Sequence, residues 1–136
     1  MLSFQTHTVF IFYKNQDVNT LLAGTFWLKG LESFKFIDDR ECLKKFREMD
    51  GDVDALVLSH EIALDNDLRL IDIIKRINPN TKVLVIADEE TKKNNIYEYG
   101  ADEIVILPSS PTDISDKILL LISKRRIIEK STNDLV

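Results

Sequence analysis

The sequence predicts an α/β fold of type (βα)5, a parallel sheet with helices on both faces. Two observations carry that reading. Short β-rich apolar runs alternate with longer stretches of helical pattern along the whole chain. Three of the runs are almost continuously apolar, as strands covered on both faces must be. Right-handed crossovers between successive strands then stack the helices in two layers.

The elements follow in order. The first run is Thr8 to Tyr13 (TVFIFY), and the first helical stretch is Asp17 to Lys29. Gly30 stands where that helix should stop. Phe34 to Ile37 is the second strand, and Asp39 to Met49 the second helix, with Asp39 as its N-cap. Ala55 to Leu58 is the third strand. Asp67 to Ile77 is the third helix, where Leu70, Ile73, Ile74 and Ile77 share one face. Val83 to Ala87 and Ile104 to Leu107 are the last two strands, separated by the helical stretch Thr91 to Tyr99 and by Gly100. A final helix runs from Thr112, its N-cap, to about Lys130, and the tail 131–136 is expected to fray.

The chain has 136 residues, which suits one domain, here residues 1–130. Hydrophobic residues make up 44% and charged residues 30%, enough to bury a core without disulfide or metal staples. Cys42 is the single cysteine, which excludes an internal disulfide and a multi-cysteine zinc site. His7 and His60 are the two histidines, too few for a His-rich metal centre. The formal net charge is -5, a poor balance for non-specific binding to nucleic acid or anionic lipid. No apolar run approaches the roughly 18 residues that span a bilayer. The N-terminus does not read as a signal peptide. A soluble cytoplasmic domain is expected, with no membrane or nucleic-acid partner.

Over about residues 8 to 126 the chain resembles the receiver domain of two-component response regulators (the CheY-like superfamily). Four segments carry the resemblance in the right order and spacing: YKNQDVNTLL, DALVLS, KVLVIADEE and GADEIVILP. It implies a three-layer, flavodoxin-like sandwich with strand order 2-1-3-4-5. It also implies a chemistry. Two carboxylates and a phosphoacceptor aspartate hold Mg²⁺ through oxygen ligands. The aspartate attacks a phosphoryl group. A lysine and a Thr/Ser hydroxyl then bind the phosphoryl oxygens.

Carried over residue by residue, the resemblance implies a degenerate site. The acidic pair falls on Tyr13 and Lys14, and the phosphoacceptor on Ser59. The switch hydroxyl falls on Ala87, the switch aromatic on Ile104 and the lysine on Leu107. A shift of one residue brings in His60 or Leu58, not a carboxylate. The family's proline is kept as Pro108, so a cis Leu107–Pro108 bond is implied. Lys14 puts a cation where Mg²⁺ would sit. The resemblance thus implies a pseudo-receiver, with no catalytic residue, metal or cofactor, that signals by protein contact in a phosphorelay-type pathway. The competing reading is a phosphoacceptor that uses Mg²⁺ and a displaced carboxylate among Glu61, Asp65, Asp88 and Glu89. A flavodoxin-like enzyme is disfavoured, because the YKNQD turn has no glycine to let a phosphate approach.

Other residues have plainer readings. Lys14 is either a built-in cation paired with Glu61 or Asp88, or an exposed lysine. Ser59 is a small polar filler and His60 a solvated side chain. Cys42 is a small core or boundary residue. Ser123 to Arg126 (SKRR) complements a helix dipole more economically than it binds nucleic acid.

Two surfaces are candidate interfaces. In the first helix Val18, Leu21, Leu22, Thr25 and Phe26 form the apolar stripe, and Trp27 points away from it. Trp27 is either a partner contact or, the reading slightly preferred, tucked under the Gly30–Leu31 turn. In the last helix the core stripe is Ile114, Ile118, Leu121, Ile122 and Ile128. Leu119, Leu120 and Ile127 lie off it. With Tyr97 and Ile104 they are expected to form a homodimer or partner contact. In the resembled family the face of the fourth helix, fifth strand and fifth helix serves this purpose.

Overall fold

A computed structural model describes residues 7–65, 67–88 and 93–134, with side chains described over 7–65, 67–88 and 96–123. The strands are β1 (His7–Phe12), β2 (Leu31–Phe36), β3 (Ala55–Ser59), β4 (Lys82–Ala87) and β5 (Glu103–Ile106). The helices are α1 (Gln16–Leu28), α2 (Asp39–Glu48), α3 (His60–Ala63), α4 (Leu70–Ile77), α5 (Lys93–Glu98) and α6 (Pro111–Asp134). All strand pairs are parallel, in the order β2-β1-β3-β4-β5. This is the expected flavodoxin-like topology.

Alternation along the strands divides the core in two. Phe10, Phe12, Leu56, Leu58, Val83 and Val85 face one layer, where Cys42 and Phe46 of α2 and Leu70, Ile71 and Ile74 of α4 meet them. Val9, Ile11, Val57, Leu84 and Ile86 face the other layer, against Leu22 and Phe26 of α1 and Ile114, Ile118, Leu121 and Ile122 of α6. The central strands are almost continuously apolar because both of their faces are covered.

Several local expectations are corrected. Asp38, not Asp39, caps α2: its carboxylate accepts from the Arg40 N–H at 2.7 Å. Thr112 lies inside α6, which starts at Pro111. The Ser110 hydroxyl accepts from the Asp113 N–H at 3.1 Å, and proline occupies the first turn, where its missing N–H costs nothing. The α6 helix continues to Asp134, past the expected end near Lys130. In α4 the buried residues are Leu70, Ile71 and Ile74, while Ile77 is exposed and Ile73 only half-buried. In α1, Leu21 of the expected stripe is 59% exposed and Asn19 is fully buried. β2 starts at Leu31, directly after Gly30, and Ile37 lies outside it. Gly30 and Gly100 do end helical turns, with φ of 79° and 105°. The Leu107–Pro108 bond is cis.

The block around Asp102 is held by charge. One Asp102 carboxylate oxygen accepts from Lys75 Nζ at 2.6 Å and from the Val83 N–H at 2.8 Å. Lys75 also donates to the Thr81 carbonyl at 2.7 Å. Together these contacts join the end of α4 to the starts of β4 and β5.

Cys42 is completely buried on α2. Burial, with a smaller push from the Asp39 carboxylate, raises its thiol to about 12. At pH 8 the native protein is therefore expected to resist a disulfide-exchange reagent such as Ellman's, and to react fully in denaturant. Fast reaction of the native thiol would contradict this. The linkage sign follows: above about pH 9 the unfolded chain loses a proton that the folded chain keeps, so this thiol lowers stability as pH rises.

Candidate functional site

Parallel register brings the C-terminal ends of the central strands to one edge. Phe12 lies opposite Leu58, Ser59 opposite Ile86, and Ala87 opposite Ile106. The segments that leave those ends enclose an open cavity of about 350 Å³. It is lined by Tyr13, Lys14, Asn15 and Val18 after β1, by Ser59, His60 and Glu61 after β3, and by Ile86, Asp88 and Leu107. Five of the six positions singled out by the resemblance therefore cluster at this edge. Tyr13, Lys14, Ser59 and Leu107 line the cavity, and Ala87, fully buried, lies beneath it in β4.

The local structure explains each side chain. The Asn15 carboxamide caps α1, accepting from the Asp17 N–H at 2.9 Å and the Val18 N–H at 3.4 Å. Asn19, one turn on, clamps the floor. Its Nδ2 donates to the Tyr13 carbonyl at 2.8 Å and the Phe36 carbonyl at 3.0 Å, and its Oδ1 accepts from the Tyr13 N–H at 3.1 Å. Tyr13 itself is half-buried; burial, and next the Glu61 carboxylate, push its hydroxyl well above the usual phenol range. Ser59 is a cap: its hydroxyl accepts from the Ile62 N–H at 3.5 Å at the start of α3. Leu107 is 40% exposed on the cavity rim.

The charges are arranged differently from the expectation. Lys14 is exposed and, among the described residues, forms no ion pair with Glu61 or Asp88. His60 pairs with Asp88 instead, Nε2 to Oδ2 at 3.7 Å, and is not a fully solvated side chain. That pair joins the start of α3 to the segment after β4. Among the described residues no three His, Cys, Asp or Glu side chains converge to hold a metal ion. Glu61, Asp65 and Asp88 are therefore not a ready-made ligand set, and Glu89 lies outside the described residues. The Ser59 hydroxyl shares this cavity with His60 and Glu61, and among the described residues no hydrogen bond joins it to either.

Asn19 and the His60–Asp88 pair were missed in the sequence. Asn19 had a signal: it interrupts the apolar positions Val18, Leu22 and Phe26. The His60–Asp88 pair had none, because it depends on how β3 and β4 end side by side.

The candidate interface residues differ in exposure. Ile104 is 7% exposed and belongs to the core on the α2 and α4 side, so its side chain cannot join an exposed contact. Leu119 is half-buried against the other core, whereas Tyr97 and Leu120 are 46% and 56% exposed. Ile127 and Ile128 lie outside the described side chains. Trp27 is 73% exposed, which corrects the expectation that it tucks under the Gly30–Leu31 turn.

A larger cavity, about 580 Å³, lies between α4 and α5 and is lined by Arg69, Ile71, Asp72, Glu98 and Tyr99 with Ala63. The Asp72 carboxylate there is already engaged by Arg76 at 3.1 Å and Arg69 at 3.8 Å. Among the described residues no helix is long and apolar enough to cross a membrane.

No protein-family model matches the sequence, and no curated protein matches it. Solved structures do resemble it. A response regulator receiver domain protein from Clostridium thermocellum superposes with a TM-score of 0.78 at 18% identity, over 90% of this chain and 98% of that one. NtrX from Brucella abortus, solved with ATP, gives 0.80 at 16% identity, over 97% of this chain but 30% of its own. A pilus assembly-related protein from Burkholderia pseudomallei gives 0.71 at 15% identity, over 90% and 95%. At these identities the likeness is one of fold.

Proposed function

We propose that the chain is a receiver-like signalling module of a two-component type pathway, which acts by protein–protein contact and is not phosphorylated on aspartate. The supporting observation is the composition of the cavity at the C-terminal strand ends. The fold neighbours include response regulator receiver domains. In the resembled family this edge bears an acidic pair, a phosphoacceptor aspartate and a lysine. Here the corresponding lining is Tyr13, Lys14, Ser59 and Leu107, and the nearby His60 and Asp88 are engaged with each other. A divalent cation would meet the Lys14 ammonium without three carboxylates to offset it. The Ser59 hydroxyl accepts from the Ile62 N–H at the start of α3.

The test is incubation with Mg²⁺ and acetyl phosphate, followed by intact-mass measurement. The expected result is an unmodified chain. A gain of about 80 Da, the mass of one phosphoryl group, would overturn the proposal and favour a displaced carboxylate as acceptor. Isothermal titration with Mg²⁺ gives an independent readout, and no saturable binding is expected in the low millimolar range.

A further inference from the structure

The outward face of α1 is not built like a solvated helix face. At about 100° per residue, Asn19, Leu22 and Phe26 define the buried side, and Gly24 lies roughly opposite their centre. Leu21 and Leu28 flank Gly24 on one side, and Trp27 and Thr20 on the other. Leu21, Trp27 and Leu28 are 59%, 73% and 84% exposed. Asp17, in the first turn, is the helix's one charged residue. The contrast with α2 is direct: there Arg40, Glu41, Lys44, Arg47 and Glu48 fill the outward face with charge.

Gly24 has no purpose within the folded chain. A Cβ at this position would meet nothing within 4 Å, and Gly24 is not among the glycines of positive φ. A glycine in a helix interior is less stable than alanine. A bare backbone at the centre of an exposed apolar face is, however, what a second helix needs to approach closely. We propose that α1 is a self-association surface, on which two copies of this chain cross antiparallel at Gly24.

The face is self-complementary, which selects a second copy as the occupant. A two-fold axis at Gly24 keeps each flank on its own side of the contact, so Leu21 of each copy meets Leu28 of the other, and Thr20 meets Trp27. Antiparallel crossing also opposes the two helix dipoles favourably. Asp17, at the positive end of each helix, then faces the negative end of the other, where Lys29 follows the last turn. Lys29 itself turns to the other side of the helix, 3.6 Å from Asp116 of its own chain, so Asp17 meets the helix end and not this ammonium. Trp27 and the two leucines expose on the order of 400 Å² of apolar surface per copy. That is about half of what each partner buries in a standard interface, and a polar rim supplies the remainder. The contact is independent of whether the strand-end cavity accepts phosphate.

Sedimentation equilibrium of the full chain tests the proposal. The wild type is expected to dimerise. Gly24→Gln is expected to weaken the dimer roughly tenfold or more, with a melting temperature at or above that of the wild type in the monomeric range. Leu28→Glu should act likewise, without relying on the glycine. Trp27 emission should shift to the blue as the wild type associates. A wild type that stays monomeric at high micromolar concentration overturns self-pairing. A dimer indifferent to both substitutions, or lost only in Leu120→Glu, overturns the α1 assignment.

Discussion

Replacing Phe10 by alanine is expected to lower the unfolding free energy by about 3–5 kcal/mol. Phe10 is fully buried in β1, next to the centre of the sheet. Its ring packs on Phe36 at 4.8 Å between centroids, and meets Phe34 and Phe46 near edge-on at 5.7 and 6.0 Å. Truncation removes these contacts and leaves a void between the sheet and α2, which the paired strands on either side cannot close. Domains of this size are typically stable by about 5–15 kcal/mol, so the loss is a large fraction of the whole. Urea denaturation followed by circular dichroism measures it. Phe34→Ala is the control: Phe34 is half-buried on the edge strand and partly covered by Lys45, whose Nζ is 5.1 Å from its ring centroid. It should cost distinctly less. Equal losses at the two positions would mean that the core is not centred on Phe10.

Asn19→Ala is expected to cost about 2–4 kcal/mol, although it deletes few atoms. The side chain is fully buried and makes three hydrogen bonds, two to Tyr13 and one to Phe36. Alanine leaves the Tyr13 N–H and the Phe36 carbonyl without these partners, away from bulk water. The effect should also be local. Tyr13 and Lys14 form one wall of the strand-end cavity, and Asn19 holds that wall to the ends of β1 and β2. Hydrogen exchange at the Tyr13 amide should accelerate by more than the global loss of stability accounts for. An amide that keeps its wild-type protection would show that the turn is held by something else.

The two substitutions act at different levels of legibility. Phe10 belongs to a run, TVFIFY, whose unbroken apolarity already identified a strand covered on both faces. Asn19 sits beside the apolar positions Leu22 and Phe26 of the first helix, but nothing local says what its side chain bonds. Its partners are decided where α1 lies over the end of β1, where two backbone carbonyls and an N–H need them.

By itself the sequence determined the five alternating units, the parallel sheet, the glycines that end helices and the two-sided core. These follow from local periodicity and backbone freedom, which depend on residues within a few positions of one another. Through the resemblance it also indicated which residues gather at the strand ends, and the observed register places Tyr13, Lys14, Ser59, Ala87 and Leu107 there. Tertiary structure decided the rest. It paired Asp88 with His60 and left Lys14 unpaired among the described residues. It buried Ile104 in the core and left Trp27 on the surface. The reason is geometric. A side-chain contact between segments after β3 and β4, or the depth of one residue on β5, depends on the register and spacing of elements far apart in sequence. Amphipathic spacing specifies which side of a helix is apolar, but not how much of that side its neighbours cover. On α1 the neighbours cover Leu22 and Phe26 and leave Leu21, Trp27 and Leu28 bare.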